Sequence, residues 1–133
     1  MSKINIRVYY EDTDSAGVVY YANYLKFTER GRSEYLRDFG FQQDELIAQH
    51  NVVFAVHSLN AKYHQPAKFN DLLTLQTKIE KITGASLIFS QKITLVDENT
   101  VLFTAQTVVV CLHTNNFKPR SIPSSILEKI NGQ

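Results

Sequence analysis

The sequence is poor in the residues from which many kinds of site are built. In 133 residues it holds one cysteine, four histidines, five glycines and three prolines, and no tryptophan. A lone Cys111 excludes an internal disulfide, and its place in the apolar run Val108-Val109-Val110-Cys111-Leu112 reads as a small hydrophobe on a buried strand. The histidines at 50, 57, 64 and 113 form no His-x-x-x-His pair to chelate a metal, and no Ser-His-Asp order stands out among them. The glycines fall into neither GxGxxG nor GxxxxGK, so no phosphate-cradling loop is expected. Charge of one sign is missing too: 14 bases against 13 acids leave +1, which supplies no field to gather nucleic acid, so an anionic ligand would have to be held locally. No run of 18 apolar residues occurs, and Met1-Ser2-Lys3-Ile4-Asn5-Ile6-Arg7 has no apolar signal stretch. The expectation is a soluble, cytoplasmic protein with no transmembrane segment.

What is present is enough to build a core. Hydrophobic residues make up 44% of a chain that no Pro/Gly/Ser-rich stretch or charge block divides, which predicts one domain over 1–133. Ile4, Ile6, Val8 and Tyr10 alternate with Asn5, Arg7 and Tyr9 in the period of a half-buried strand. Glu11-Asp12-Thr13-Asp14-Ser15-Ala16-Gly17 then reads as a tight loop. From Tyr20 the period changes: Tyr20, Tyr24, Phe27, Gly31, Tyr35 and Phe39 mark one face of a long helix, with Gly40 as its C-cap. Gly31 on that apolar face points to a close packing partner. A short helical stretch over 44–49 follows, and then period-two patterns broken by turn signals at Gln65-Pro66, Asn70-Asp71, Thr83-Gly84 and Asp97-Glu98-Asn99. Leu73, Leu75, Thr77 and Ile79 form the clearest strand face, while 87–96 and 101–112 are apolar on both parities in places, as in strands covered on both sides. Residues 123–130 read as a terminal helix. The fold class expected is α+β, an antiparallel curved sheet wrapped around one long helix.

Chemistry then points to the acidic turn. Asp14 lies six residues before Tyr20, so its carboxylate can stand beside the amino end of the helix, where N–H groups have no internal partner and the helix dipole is positive. A thioester carbonyl between the two would meet a carboxylate able to attack its carbon or to activate a water, and N–H groups able to hold the developing oxyanion. On residue type alone, capping and turn formation by Asp12, Thr13, Asp14 and Ser15 would explain the same loop.

The stretch from Val8 to Tyr24, VYYEDTDSAGVVYYANY, resembles the signature of the hotdog-fold 4-hydroxybenzoyl-CoA thioesterase family, and within it the YbgC-type branch associated with the Tol-Pal system. Tyr63-His64-Gln65-Pro66-Ala67 followed by Asp71-Leu72-Leu73, and Lys118-Pro119-Arg120-Ser121-Ile122-Pro123, are similar to two further segments of that family. The resemblance implies an acyl-CoA thioester hydrolase with no metal and no cofactor, acting on acyl-CoA, with acyl-carrier-protein thioesters as a further substrate class. It assigns catalysis to Asp14, the oxyanion contact to the backbone N–H of Tyr21, and a structural role to Asp12. Gly17, Tyr20, Ser86, Lys81, Lys118 and Arg120 become candidates for substrate or CoA contacts. It further implies a homodimer or homotetramer whose sheets pair, with the cleft at the subunit boundary. Tyr21 departs from the branch, several members of which carry His there. A hotdog dehydratase would need a site histidine, and none lies between Met1 and Gln49. The competing reading from another class is a domain that binds acyl-CoA or a protein partner without turnover.

Overall fold

The computed structural model describes residues 1–131. Five strands, β1 (Ser2–Arg7), β2 (Val52–Tyr63), β3 (Leu72–Thr83), β4 (Ser86–Leu95) and β5 (Val101–His113), form one sheet in the order β1-β3-β4-β5-β2, every neighbouring pair antiparallel. The helices are α1 (Asn23–Asp38), a short α2 (Gln43–Glu45) that widens into a π turn over Leu46–His50, and α3 (Ser124–Asn131). An antiparallel sheet with helices is therefore what the patterning foretold, but the single long helix from Tyr20 to Phe39 is not. The helical content is shared among shorter pieces, and α1 starts three residues late. The reason is local: Tyr20 N–H donates to the Asp12 carbonyl at 3.0 Å, the Asn23 side-chain amide donates to the same oxygen at 2.8 Å, and Asn23 N–H closes a turn on Tyr20 O at 2.8 Å. These bonds hold residues 20–22 out of the helix.

The sheet buries alternate residues on the face that receives α1. Leu73, Leu75 and Thr77 on β3, Leu87, Phe89, Gln91 and Ile93 on β4, and Phe103, Ala105, Thr107, Val109 and Cys111 on β5 are all buried, as the two-residue period requires. From α1 they receive Tyr24, Phe27, Thr28, Gly31, Tyr35 and Leu36. Gly31 sits so close that an added Cβ would lie 2.6 Å from Leu75 Cδ2, 2.8 Å from Thr77 Oγ1 and 2.9 Å from Gln91 Nε2, which accounts for a glycine in mid-helix. Burying each large apolar side chain here stabilises the fold by about 1.5–3 kcal/mol.

The core falls into two apolar clusters. One, around Val8, Val19, Tyr24, Phe27, Leu73 and Phe103, supports the start of α1; the other, around Tyr35, Leu46, Phe89, Cys111, Ile122 and Ile126, supports its far end. A polar bridge joins sheet and helix at mid-length: Gln91 Nε2 donates to Thr28 O (2.9 Å) and Thr77 Oγ1 (3.0 Å), and its Oε1 accepts from Arg32 Nη1 (3.2 Å). The strands expected to be covered on both faces are covered on one, because α1 and α3 join the same side; Ile88, Val108 and Val110 on the other face stay half-buried. The 12-residue β2 is an edge strand, and it leaves Val56, Leu59 and Tyr63 at 54%, 41% and 50% exposure.

Candidate active site

The loop from Tyr10 to Ala22 is a small scaffold of its own. A 3-10 turn over Tyr10–Asp12 is closed by Asp12 Oδ2, which accepts the Tyr9 N–H at 2.8 Å. Thr13 then bridges antiparallel to Val19, and Asp14 N–H donates to Val18 O at 2.9 Å. Between these arms, Gly17 N–H returns to Asp14 O at 3.0 Å, with Gly17 at φ +79°, a backbone angle that side chains resist. The loop predicted over 11–17 is therefore a miniature hairpin with Asp14 at the entrance to its turn. Asp14 Oδ1 accepts the Ala16 N–H at 2.8 Å, the bond of an Asx turn, and the side chain is exposed in the single chain. Among the described residues its Oδ2 has no hydrogen-bond partner.

The hairpin is pinned to the segment between β2 and β3. Gly17 O accepts from Phe69 N–H (3.1 Å), Val19 N–H donates to Ala67 O (2.8 Å), and Ala67 N–H donates to the phenol oxygen of Tyr24 (3.0 Å). This last bond ties the buried first turn of α1 to the loop. Tyr24→Phe should therefore strand a buried N–H and destabilise the protein by about 1–3 kcal/mol, read as a lower urea midpoint with an unchanged slope.

Just outside α1, Tyr20 and Tyr21 are 47% and 62% exposed. Among the described residues the backbone N–H groups of Tyr21 and Ala22 meet no acceptor, so donors stand free where the helix begins. The Tyr21 carbonyl accepts from Tyr63 Oη at 2.9 Å. Tyr21, Tyr24 and Tyr63, with Val19, His64, Gln65 and Pro66, line a pocket of about 220 Å³. Burial raises the Tyr24 and Tyr63 phenols above their ordinary range, and the neighbouring Tyr21 raises that of Tyr20, so all three are neutral donors near pH 7. Tyr63 was not among the sequence-derived site residues, although it opens the Tyr-x-x-Pro-Ala segment. The signal was there, in a motif that reads as a turn.

The remaining candidates divide by position. Gly17 and Tyr20 lie in the Asp14 loop. Lys81, Ser86, Lys118 and Arg120 do not: they gather at the opposite end of the sheet, where Cys111 N–H donates to Ala85 O (2.7 Å), Arg120 N–H to Cys111 O (3.0 Å) and Ile122 N–H to Gly84 O (3.2 Å). β3 runs the length between the two groups, roughly 35 Å at the ~3.3 Å rise of a strand. Within one chain, therefore, the phosphate-contact candidates and Asp14 are not brought together. Buried Cys111, its thiol pushed up by desolvation, fits the structural reading. Among the described residues, no three His, Cys, Asp or Glu side chains are grouped as metal ligands would be, and no helix is long and apolar enough to cross a membrane.

Comparison with known proteins places this geometry in a class. The sequence profile of the thioesterase-like superfamily matches residues 8–130, and the chain belongs to that family. Within it, the chain is 46% identical over 122 residues to the acyl-CoA thioester hydrolase YbgC of Escherichia coli O157:H7, covering 92% of this chain and 90% of that one. It is 40% identical over 122 residues to the acyl-CoA thioesterase YbgC of Haemophilus influenzae, with 91% and 88% coverage. The crystal structure of a probable thioesterase from Bartonella henselae superposes with a TM-score of 0.86 at 37% identity, over 92% of this chain and 98% of that one.

Proposed function

We propose that this chain hydrolyses acyl-CoA thioesters to a carboxylic acid and free CoA, with Asp14 as the reacting carboxylate. The observations behind the site assignment are an Asp14 oxygen with no hydrogen-bond partner among the described residues, in the hairpin that leads into α1, and the free N–H groups of Tyr21 and Ala22 just before that helix, with Tyr21 lining the aromatic pocket. Superfamily membership supports the reaction class. The thioester oxygen sits on the Tyr21 N–H, and the developing negative charge is held there by a donor already fixed in place, a contribution typically worth ~2.7–4 kcal/mol per donor. Asp14 either adds to the carbonyl carbon, expelling CoA thiolate and leaving a mixed anhydride for water to cleave, or takes a proton from the attacking water. In a single turnover in heavy-oxygen water, label entering Asp14 would establish the anhydride route and reject direct water attack. Acyl-carrier-protein thioesters offer the same reacting group.

The site is completed by a second copy. The 12-residue β2 edge, with exposed Val56 and Leu59, is the surface a second sheet would pair with. An antiparallel pairing of two β2 edges reverses one chain against the other, which turns the partner's Ser86 and Arg120 end toward the Asp14 end of the first. That arrangement supports a homodimer, or a tetramer of two such dimers, as the working cytoplasmic enzyme, with the CoA phosphates held by the other subunit's Lys81, Ser86, Lys118 or Arg120. It is also the geometry that the hotdog resemblance implies, with α1 seated in a curved sheet. A role beside the Tol-Pal envelope system is tested by the envelope integrity of a deletion strain.

The decisive assay is a panel of acyl-CoAs with a thiol reagent reporting free CoA. Turnover supports the enzyme; tight binding without thiol release would leave a non-catalytic acyl-CoA module. Asp12→Ala removes the cap on Tyr9 but leaves the Asp12 carbonyl that holds Tyr20 and Asn23. It should cost about 1 kcal/mol of stability and less than about tenfold in kcat/KM, a far smaller effect than any change at the reacting group.

A further inference from the structure

We infer that Tyr63 is a positioning residue for the proposed reaction: its phenol fixes the plane of the Tyr21–Ala22 peptide, so that the Ala22 N–H serves as a second donor to the thioester oxygen beside that of Tyr21. The inference deepens the hydrolase reading above and rests on it. Tyr63 Oη donates to the Tyr21 carbonyl at 2.9 Å. Among the described residues no peptide bond is cis, so the Tyr21 C=O and the Ala22 N–H lie in one plane and point opposite ways. A phenol that holds the oxygen on one side therefore aims the N–H to the other, where among the described residues it meets no acceptor. A carbonyl that accepts a bond also polarises the N–H of its own peptide, which strengthens it as a donor.

The place of the phenol is set by the core and not by the loop it holds. Tyr63 is the last residue of β2, opposite Phe103 on β5, and the N–H groups of His64 and Gln65 that follow both donate to Leu102 O, at 2.8 and 3.2 Å. Its ring meets Phe103 edge-on at 5.0 Å between centroids and Tyr24 at 5.3 Å, and both of those rings are buried. One side of Tyr63 is thus clamped while the other faces solvent. Among the described residues its phenol makes the one hydrogen bond from the sheet to residues 20–22; their other bonds run to Asp12 and to the first residues of α1. The turn that carries the free donors is tethered at its ends by backbone and at its middle by Tyr63. This bond is exposed, so water can replace the phenol with little effect on stability. Water cannot replace the fixed direction, and direction is what a preorganised oxyanion donor requires.

The test is Tyr63→Phe, assayed on an acyl-CoA that wild type hydrolyses. Complete loss of one oxyanion donor costs about 10²–10³-fold in kcat, and a donor loosened but still present costs less, so kcat is expected to fall about tenfold. KM should stay within about twofold and the urea midpoint should not move, the pattern of an interaction used in the transition state and not in binding. Tyr24→Phe, which breaks the other phenol bond of this region, should instead lower the midpoint. A second readout follows the donors directly. With acyl-CoA carrying carbon-13 at the thioester carbonyl and bound to Asp14→Asn, the infrared carbonyl band should lie below its position in water, and adding Tyr63→Phe should move it part of the way back. A wild type that hydrolyses no acyl-CoA of the panel would end the hydrolase reading and this inference with it. Hydrolysis by wild type with kcat unchanged in Tyr63→Phe, or with KM raised at full kcat, would overturn the inference alone and leave the hydrolase reading standing. So would a carbonyl band that Tyr63→Phe leaves in place.

Discussion

Asp14→Asn is expected to lower kcat/KM for acyl-CoA hydrolysis by about 10²–10⁴-fold, the range over which a positioned base or nucleophile acts, with almost no change in melting temperature. The second half of that statement comes from the hairpin. Asp14 contributes three bonds to it: its N–H to Val18, its carbonyl to Gly17 and its Oδ1 to the Ala16 N–H. The first two are backbone bonds that any residue makes. An asparagine amide oxygen still accepts from Ala16, and Asn tolerates turn geometry as well as Asp does. The substitution thus removes the negative charge and the reacting oxygen while leaving the turn intact. Asp14→Ala is the informative companion, because it gives up the Asx bond as well; it should show the same loss of rate with a modest loss of stability. Equal rates in wild type and Asp14→Asn would remove Asp14 from the reaction.

How much of this was legible in the sequence depends on whether the deciding interaction is local. β3 could be read because alternation in 72–83 is a property of neighbours, and Leu73, Leu75 and Thr77 are buried in that alternation. The terminal helix and the close approach at Gly31 were legible for similar reasons. The start of α1 was not, since it is set by the Asp12 carbonyl, which captures Tyr20 N–H and the Asn23 side chain from eleven residues away. Periodicity counted Tyr20 as the first core residue of a helix, whereas it is an exposed residue of the turn before one. The candidate site divides in the same way. That Asp14 lies in the loop leading into α1 follows from six residues of spacing, but its separation from Ser86 and Arg120 is set by the length of the sheet, at whose far end both lie.

Gln91→Leu should destabilise the fold by about 2–4 kcal/mol, lowering the melting temperature by roughly 10 °C, although it exchanges a buried polar side chain for an apolar one of similar size. Gln91 is 2% exposed and uses both ends of its amide, donating to Thr28 O and Thr77 Oγ1 and accepting from Arg32. Thr28 O keeps its helical partner when the amide is gone, so the penalty falls on the 1%-exposed Thr77 hydroxyl and on Arg32. The sheet already holds one buried hydroxyl without a partner, Thr107 Oγ1, so a second adds to a standing cost. Leucine's gain from burial is small, because the amide's methylenes were already out of water. Gln91→Glu separates the two contributions: it offers Arg32 a carboxylate but can no longer donate to Thr28 or Thr77, and should fall between wild type and Gln91→Leu. A Gln91→Leu protein as stable as wild type would mean that α1 is held by its apolar side chains alone, with Gly31 close to the sheet for reasons of shape and the amide bridge making no net contribution.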